Sequence, residues 1–257
     1  MARVGIIGGS GLDDPELLKD AADESFATPW GEPSSPLRRG VIGGVECVLL
    51  ARHGRQHTIP PTHVNNRANL HALLAAGCTH LLATTAVGSL RAEIGRGDLV
   101  IVDQFIDFTR FRKTSFHERF APGAKPAGAI GSTVHTAMAD PFSPELRELL
   151  IASARELGLS HHANGTVVTI EGPRFSTRAE SRMFRGWGAD VINMSIAPEC
   201  ALANEAGIPY AAVAMSTDYD CWKEDEEPVT WEQIVAIFEE NVEKVVRLLV
   251  KTIAKLG

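Results

Sequence analysis

Short runs of apolar residues recur along the chain, and each ends in small or polar residues. The clearest runs cover residues 4–7, 45–51, 80–89, 99–102, 166–170, 189–195 and 210–214. These runs are almost continuously apolar rather than alternating, which is typical of parallel strands covered on both faces. We therefore expect a largely buried sheet.

Helical patterns fall between these runs, at residues 65–76, 143–157, 198–206 and 230–256. Ser143 and Pro144 supply an N-cap and a first-turn proline for the second helix. Thr230 and Gln233 form a capping box for the last. Residues 105–142 have no steady period and are rich in glycine and proline, which predicts a long surface excursion.

Alternation of strands and helices predicts an α/β fold, with a mostly parallel, mixed sheet flanked by helices. No repeat, linker or low-complexity segment interrupts it, so one domain over residues 1–257 is expected.

Composition narrows the class of protein. The chain is 44% hydrophobic and 22% charged, with a formal net charge of −7, as in an ordinary soluble protein. The absence of a basic block disfavours nucleic-acid binding, and no apolar run is long enough to predict a membrane span. The start of the chain has no signal-peptide pattern, so a cytoplasmic location is expected. The cysteine spacing predicts reduced, mostly buried thiols and no metal site; the cysteines are Cys47, Cys78, Cys200 and Cys221.

Two carboxylates follow the apolar run at 210–214. Asp218 and Asp220 would point to the same side if the strand continued. Like charges that close raise the pKa of one group, and a partly protonated carboxyl group suits proton donation to a leaving nitrogen. A solvated acidic turn before residues 223–227 is the alternative.

An anion-binding set is predicted at other strand ends. Ser10 lies in a glycine-rich turn after residues 4–7, where backbone N–H groups can hold a phosphate. This turn lacks the third glycine and the later acidic residue of a dinucleotide fingerprint. Arg52 and His53 follow residues 45–51 and offer further donors, although a solvated basic loop would look the same.

Ligands of open α/β sheets bind at the carboxyl ends of the strands, so these groups should meet in one site. Thr85 and Ser195 add hydroxyl groups there. An anion-binding half beside a proton-donating half fits transfer of a glycosyl group from a nitrogenous base to phosphate. That chemistry needs no metal and no organic cofactor, with inorganic phosphate as co-substrate.

Motifs along nearly the whole chain resemble those of the trimeric purine nucleoside phosphorylase family, in the branch that acts on 5′-methylthioadenosine. They lie at residues 8–13, 50–57, 84–90, 169–176, 193–195 and 217–222. The resemblance implies a nucleoside phosphorylase-like fold and a pentosyltransferase. The implied reaction is phosphorolysis of 5′-methylthioadenosine to adenine and 5-methylthioribose 1-phosphate, a step of purine and methionine salvage; 5′-deoxyadenosine or adenosine are further implied substrates.

The resemblance also implies a role for each site residue. Phosphate contacts are implied for Ser10, Arg52, His53, Thr85, the Ala86 backbone and Ser195. Contacts with the nucleoside are implied for Phe175, Met194, Asp218 and Asp220. Asp218 would face purine N7, Asp220 would bind the 6-amino group, and Ser176 lies at a position linked to base discrimination.

A homotrimer with sites at its subunit interfaces is likewise implied. The neighbouring subunit's His135 would reach the 5′ end of the substrate, which gives the long excursion a task. Trp231 stands near the 5′ pocket, where relatives commonly carry a smaller aliphatic residue. We expect it to shape what that pocket accepts.

Two alternatives remain at this stage. A phosphorylase for methylthioinosine or other 6-oxopurine nucleosides would want a donor at the 6-position, so the carboxylate of Asp220 favours adenine. A non-catalytic nucleoside-binding protein is the alternative from a different class. Phosphate-dependent release of free adenine separates it from both enzymes.

Overall fold

A central sheet buries the apolar runs. The strands, in chain order, are β1 (Arg3–Gly8), β2 (Lys19–Glu24), β3 (Leu37–Ile42), β4 (Val45–Ala51), β5 (His80–Ser89), β6 (Leu99–Ile101), β7 (Gln104–Phe108), β8 (Ala129–Ile130), β9 (Thr133–Val134), β10 (His161–His162), β11 (Thr166–Ile170), β12 (Val191–Asn193) and β13 (Tyr210–Tyr219). Strands β8 and β9 form a separate two-stranded sheet. The helices are α1 (Asn66–Ala75), α2 (Pro144–Glu156), α3 (Arg178–Gly186), α4 (Ile196–Glu205) and α5 (Trp231–Ile253), with a 3₁₀ turn at Pro61–His63.

This computed structural model describes residues 1–8, 18–117, 129–130, 133–224 and 231–257. At 129–130, 133–134 and 231–240 it describes the backbone alone. Ser10 and Thr230 lie outside the described residues. Within the described part of the chain, no helix is both long and apolar enough to cross a membrane.

The sheet is mixed, as predicted, and it forks at β5. Within the described residues it has 11 strands, with a main path in the order β10-β6-β13-β5-β1-β4-β3-β2. The core strands β4, β1, β5 and β13 are parallel neighbours. The end of β5 also pairs antiparallel with β12, at Gly88–Ile192 and Ser89–Val191. From β12 the sheet continues in parallel through β11 to β7.

Both faces of the core strands are covered, which explains their continuous apolar runs. Ile7 packs in the cluster on one face with residues of α1 and α4, and Ile6 packs on the other face with residues of α2 and α5. A third cluster joins β11 and β12 to α3 around Phe184. This packing fixes the strand ends, which carry the site.

The structure corrects several expectations. The predicted excursion is wrong at its start, because Gln104–Phe108 forms a strand that pairs with β11. The strand predicted to end at Ser195 ends at Asn193, and α4 begins at Ile196 rather than Pro198.

The predicted cap of α2 is confirmed: the Leu146 N–H donates to the Ser143 hydroxyl over 3.3 Å. Cys47, Cys78 and Cys200 are buried free thiols, as predicted, and Cys221 is half-buried.

Candidate active site

Most of the predicted site residues lie at or beyond the carboxyl ends of strands of the sheet. Arg52 and His53 follow β4, and Thr85 and Ala86 lie late in β5. Ser195 follows β12, and Asp218 is the penultimate residue of β13. Because β4, β5 and β13 are parallel, their ends meet at one edge of the sheet.

Two hydroxyl groups form the centre of the anion-binding half. The oxygens of Thr85 and Ser195 are 3.1 Å apart and buried. The amide nitrogen of Asn193 donates to both of them, over 3.3 and 3.4 Å. Asn193 is itself oriented by the Thr169 hydroxyl, which donates to its carbonyl oxygen over 2.7 Å. Asn193 and Thr169 therefore hold the two hydroxyls, a role that sequence reasoning missed.

Arg52 is buried and firmly held. Its Nε and Nη2 donate to the two oxygens of Glu199, the second over 3.0 Å, and its Nη1 donates to the Thr84 carbonyl over 2.9 Å. Burial by itself lowers the pKa of the guanidinium, but the Glu199 carboxylate outweighs it, so the pKa of Arg52 is raised. The cationic pocket expected from the sequence therefore contains an arginine whose positive charge is balanced by the Glu199 carboxylate.

His53 lies beside Arg52 and is neutral near pH 7. Its Nδ1 lies 2.8 Å from the Ile59 carbonyl oxygen, and because a carbonyl only accepts, Nδ1 carries the proton. Burial lowers the pKa of His53 to about 4, and the positive charge of Arg52 adds to the effect. Its Nε2 is therefore an acceptor, unless the charge of a bound anion raises the pKa of the ring enough for it to take up a proton.

Asp218 is a carboxyl group with a perturbed pKa. Burial raises the pKa of Asp218 to about 6; the nearby Asp220 charge adds to this, whereas the hydrogen bond from Thr217 opposes it. That bond runs from the Thr217 hydroxyl to Oδ1 over 2.8 Å. The sequence predicts a carboxyl group that is partly protonated near neutral pH, and in Asp218 the main cause is burial.

A β-bulge sets the direction of Asp218. Ser216 pairs with Val87 and Asp218 with Gly88, so Thr217 is an extra residue in the ladder. The Thr217 hydroxyl also contacts the Val87 carbonyl over 3.2 Å. The strand thus continues to Tyr219, farther than predicted, and brings Asp218 beside β5.

Asp220 is buried and held by Ser176. The Ser176 hydroxyl lies 2.7 Å from each carboxylate oxygen of Asp220. The Asp220 backbone N–H donates to the Ser89 carbonyl over 3.0 Å. Phe175, next to Ser176, exposes 56% of its surface. The structure therefore brings together the two residues that the resemblance linked to base choice.

Met194 is held by a residue that sequence reasoning missed. Arg112 donates to the Met194 carbonyl through Nη1 and to the Glu171 carbonyl through Nη2, the latter over 2.6 Å. Its Nε also pairs with the Glu171 carboxylate over 3.2 Å. Gly172, at φ +63°, packs directly against the Met194 side chain, which leaves no room for a Cβ. Arg112 thus joins the loops that follow β11 and β12.

Two further predicted residues stay outside this set. His135 is exposed, and among the described residues it makes no hydrogen bond to another predicted site residue. The backbone of Trp231 begins α5, but its side chain is not described. Their implied roles, like that of Ser10, remain predictions.

Comparison with known proteins defines the class first. The family model described as the phosphorylase superfamily matches residues 3–254. The chain belongs to this family.

Two relatives match almost the whole chain. A protein from Xenopus tropicalis described as S-methyl-5'-thioadenosine phosphorylase is 54% identical over 256 residues, which cover 99% of this chain and 89% of the relative. One with the same description from Drosophila melanogaster is 49% identical over 255 residues, covering 99% and 86%. The predicted resemblance is confirmed.

Solved structures agree with these relatives. Methylthioadenosine phosphorylase from Schistosoma mansoni in complex with adenine has a TM-score of 0.91 and 43% identity, covering 100% of this chain and 92% of that one. A mutant of adenosine/methylthioadenosine phosphorylase from the same organism, in complex with methylthioadenosine, has a TM-score of 0.89 and 41% identity, with coverage of 100% and 92%. The predicted nucleoside phosphorylase-like fold is confirmed.

Proposed function

We propose that the protein is a pentosyltransferase that cleaves 5′-methylthioadenosine with phosphate to give adenine and 5-methylthioribose 1-phosphate. One observation carries the proposal: β5 links an anion-binding group to a pair of carboxyl groups. Thr85 carries the hydroxyl, and a Cβ on Gly88 would lie 3.5 Å from Asp218 Oδ2 and from Asp220 Cβ. Thr85 and Gly88 are three residues apart along β5, which is roughly 10 Å at about 3.3 Å per residue.

The names of the relatives support the same substrate. The similar Schistosoma mansoni proteins are described with adenine and with methylthioadenosine bound. Each relative described above is named for this phosphorylase activity.

The reaction follows from the two halves. Phosphate, held by Ser10, Arg52, His53, Thr85, the Ala86 backbone and Ser195, attacks the anomeric carbon as the bond to purine N9 breaks. The electron pair of that bond goes to the purine, and protonated Asp218 gives its proton to N7, so neutral adenine leaves. The sugar passes through an oxocarbenium-like state that the phosphate anion stabilises. Inorganic phosphate is the only co-reactant.

Base choice rests on Asp220. A carboxylate that accepts from the Ser176 hydroxyl also accepts from a 6-amino group, whereas a 6-oxo group offers it no donor. Adenine nucleosides are therefore favoured over methylthioinosine. Met194 and Phe175 line the ribose and base, and the resemblance sets Trp231 near the 5′ pocket.

The assembly is a homotrimer, by resemblance, in the cytoplasm. In it the partner's His135 reaches the 5′ end of the substrate. Exposure of His135 on the free chain is compatible with such a contact. Co-expression of His135→Ala with Asp218→Asn tests this, because shared sites would recover activity in mixed trimers. Activity no greater than that of the separate variants would exclude a shared site.

The primary experiment incubates purified protein with 5′-methylthioadenosine, 5′-deoxyadenosine, adenosine and methylthioinosine, with and without phosphate. Chromatography should show adenine released only with phosphate, and fastest from 5′-methylthioadenosine. Binding without turnover would point to a nucleoside-binding protein. Faster cleavage of methylthioinosine would assign the enzyme to 6-oxopurines.

A further inference from the structure

Glu199 is a buried carboxylate to which neither the sequence motifs nor the reaction assigns a task. It lies in the first turn of α4 and is 1% exposed. Its Oε1 accepts from Arg52 Nε, and its Oε2 accepts from Arg52 Nη2 over 3.0 Å and from the Tyr210 hydroxyl over 2.9 Å. Both oxygens are therefore occupied inside the core, where an ionised group needs such partners.

Tyr210 is a permanent donor to this carboxylate. Burial raises the pKa of Tyr210 well above its usual value, and the neighbouring Glu199 charge raises it further. The phenol thus stays protonated at all working pH values and keeps one oxygen of Glu199 in place. Its ring is buried beside Phe142, with centroids 6.0 Å apart, so the donor is held by packing.

The geometry of the pair decides which donors Arg52 has left. Glu199 takes the side of the guanidinium formed by Nε and Nη2, and the Thr84 carbonyl takes one N–H of Nη1. Of the five N–H groups of an arginine, one on each terminal nitrogen then has no partner among the described residues. Those two groups are left for a phosphate to accept from.

Arg52 and Glu199 are each linked to one of the two hydroxyl-bearing residues of the anion-binding half, Thr85 and Ser195. Thr84, which accepts from Arg52, directly precedes Thr85, and Glu199 lies on the helix whose N-cap is Ser195. A shift of the Glu199 carboxylate would therefore move Arg52 relative to the donors that it must match. Electrostatics favours this placement, because a carboxylate in the first helical turn is stabilised by the helix dipole.

We infer that Glu199, with Tyr210 donating to it, is the positioning residue of the phosphate half of the site. It holds Arg52 so that the terminal N–H groups face the anion, and it compensates the arginine charge when no phosphate is bound. This inference rests on one part of the proposed function, the binding of phosphate at Arg52.

Two variants test the inference at different strengths. Glu199→Gln replaces one acceptor oxygen by an amide nitrogen, which faces an arginine donor. We expect the phosphate dissociation constant, measured by calorimetry, to rise roughly 10–100-fold, because a charge-assisted contact is lost. Tyr210→Phe keeps the buried ring and removes only the hydroxyl, so a smaller rise of roughly 2–10-fold is expected. Nucleoside affinity without phosphate should stay within about twofold in both.

Matched controls separate positioning from general damage. Tyr219→Phe removes the hydroxyl that contacts the Ala92 carbonyl, and Glu46→Gln changes a carboxylate that pairs with Arg3 away from the site. Neither should change phosphate affinity by more than about twofold.

Three outcomes would overturn the inference. The first is unchanged phosphate affinity in both Glu199→Gln and Tyr210→Phe. The second is tighter phosphate binding in Glu199→Gln, which would make the carboxylate a counter-ion alone. The third is an equal loss of nucleoside affinity, which would indicate a purely structural role. Because calorimetry needs no turnover, a wild-type protein that binds phosphate but releases no adenine would defeat the proposed function and leave this inference standing.

Discussion

The two halves of the site hold charge in different ways. In the anion-binding half, Arg52 is paired with Glu199 through both carboxylate oxygens. In the acidic half, Asp218 and Asp220 have no salt bridge to a cation within the described residues, and their direct side-chain donors are the hydroxyls of Thr217 and Ser176. A paired charge keeps its ionisation state, whereas burial raises the pKa of the unpaired Asp218, so that this group can gain or lose a proton. The first half is suited to binding and the second to proton transfer.

The sharpest test of this difference is Asp218→Asn. An amide still accepts or donates a hydrogen bond at N7, but it has no proton to transfer, so turnover should fall roughly 10²–10⁴-fold. Substrate affinity should change much less. Single-turnover rates and nucleoside binding, measured on the same preparation, separate the two. Normal turnover in the variant would mean that the acid is another group.

The same substitution should stabilise the fold above pH 6. The pKa of Asp218 is raised from 3.8 to about 6. The stability that the protonated carboxyl group contributes is therefore fully present below pH 3.8 and is lost as pH rises through 6. About two pKa units correspond to about 3 kcal/mol. The free energy of unfolding of Asp218→Asn minus that of wild type should therefore grow by about this amount between pH 4 and 7. A constant difference in urea titrations would contradict the raised pKa.

On the paired side, Arg52→Ala should weaken phosphate binding by about 1.5–3 kcal/mol and leave nucleoside binding largely intact. Kinetics at varied phosphate concentration measure this. Arg55→Ala is a matched control in the same loop, because Arg55 pairs with Asp23 at the surface. Equal phosphate dependence in the two variants would remove Arg52 from the site.

The smallest expected effect concerns base choice. Asp220→Asn replaces an acceptor for the 6-amino group with a side chain that also donates. The efficiency ratio of 5′-methylthioadenosine to methylthioinosine should fall by about tenfold or more, since a mismatched buried polar group costs about 1–3 kcal/mol. Ser176, which contacts both oxygens of Asp220, limits the gain on the 6-oxo substrate. An unchanged ratio would separate Asp220 from the 6-position.

Much of the fold was predictable because its core strands are apolar on both faces. The boundaries of β4, β5 and β11 agree with the sequence prediction. Strands without such a run were missed: Lys19–Glu24 is mostly exposed and charged, and Leu37–Ile42 contains two arginines. The helix Arg178–Gly186 was missed for a similar reason, since it buries only Ser181 and Phe184.

Within the site, local sequence indicated which residues follow strands, but not what holds them. Arg52 and Glu199 are 147 positions apart, and Arg112 and Met194 are 82 apart. Pairs this distant along the chain leave no periodic signal. The buried Glu199 had a weak signal of its own, a carboxylate within the otherwise apolar residues 196–203. The shift in Asp218 was expected from like charge, whereas burial proves to be its main cause.

The acidic half of the site depends on the β-bulge at Thr217, because the bulge sets the register of Asp218. In an unbulged ladder, Thr217 would pair with Gly88 and Asp218 with Ser89, so each side chain would move to the opposite face. Both aspartates can therefore be present in a strand that lacks the bulge, with their side chains out of alignment. A sequence comparison that scores only residue identity would overlook this loss.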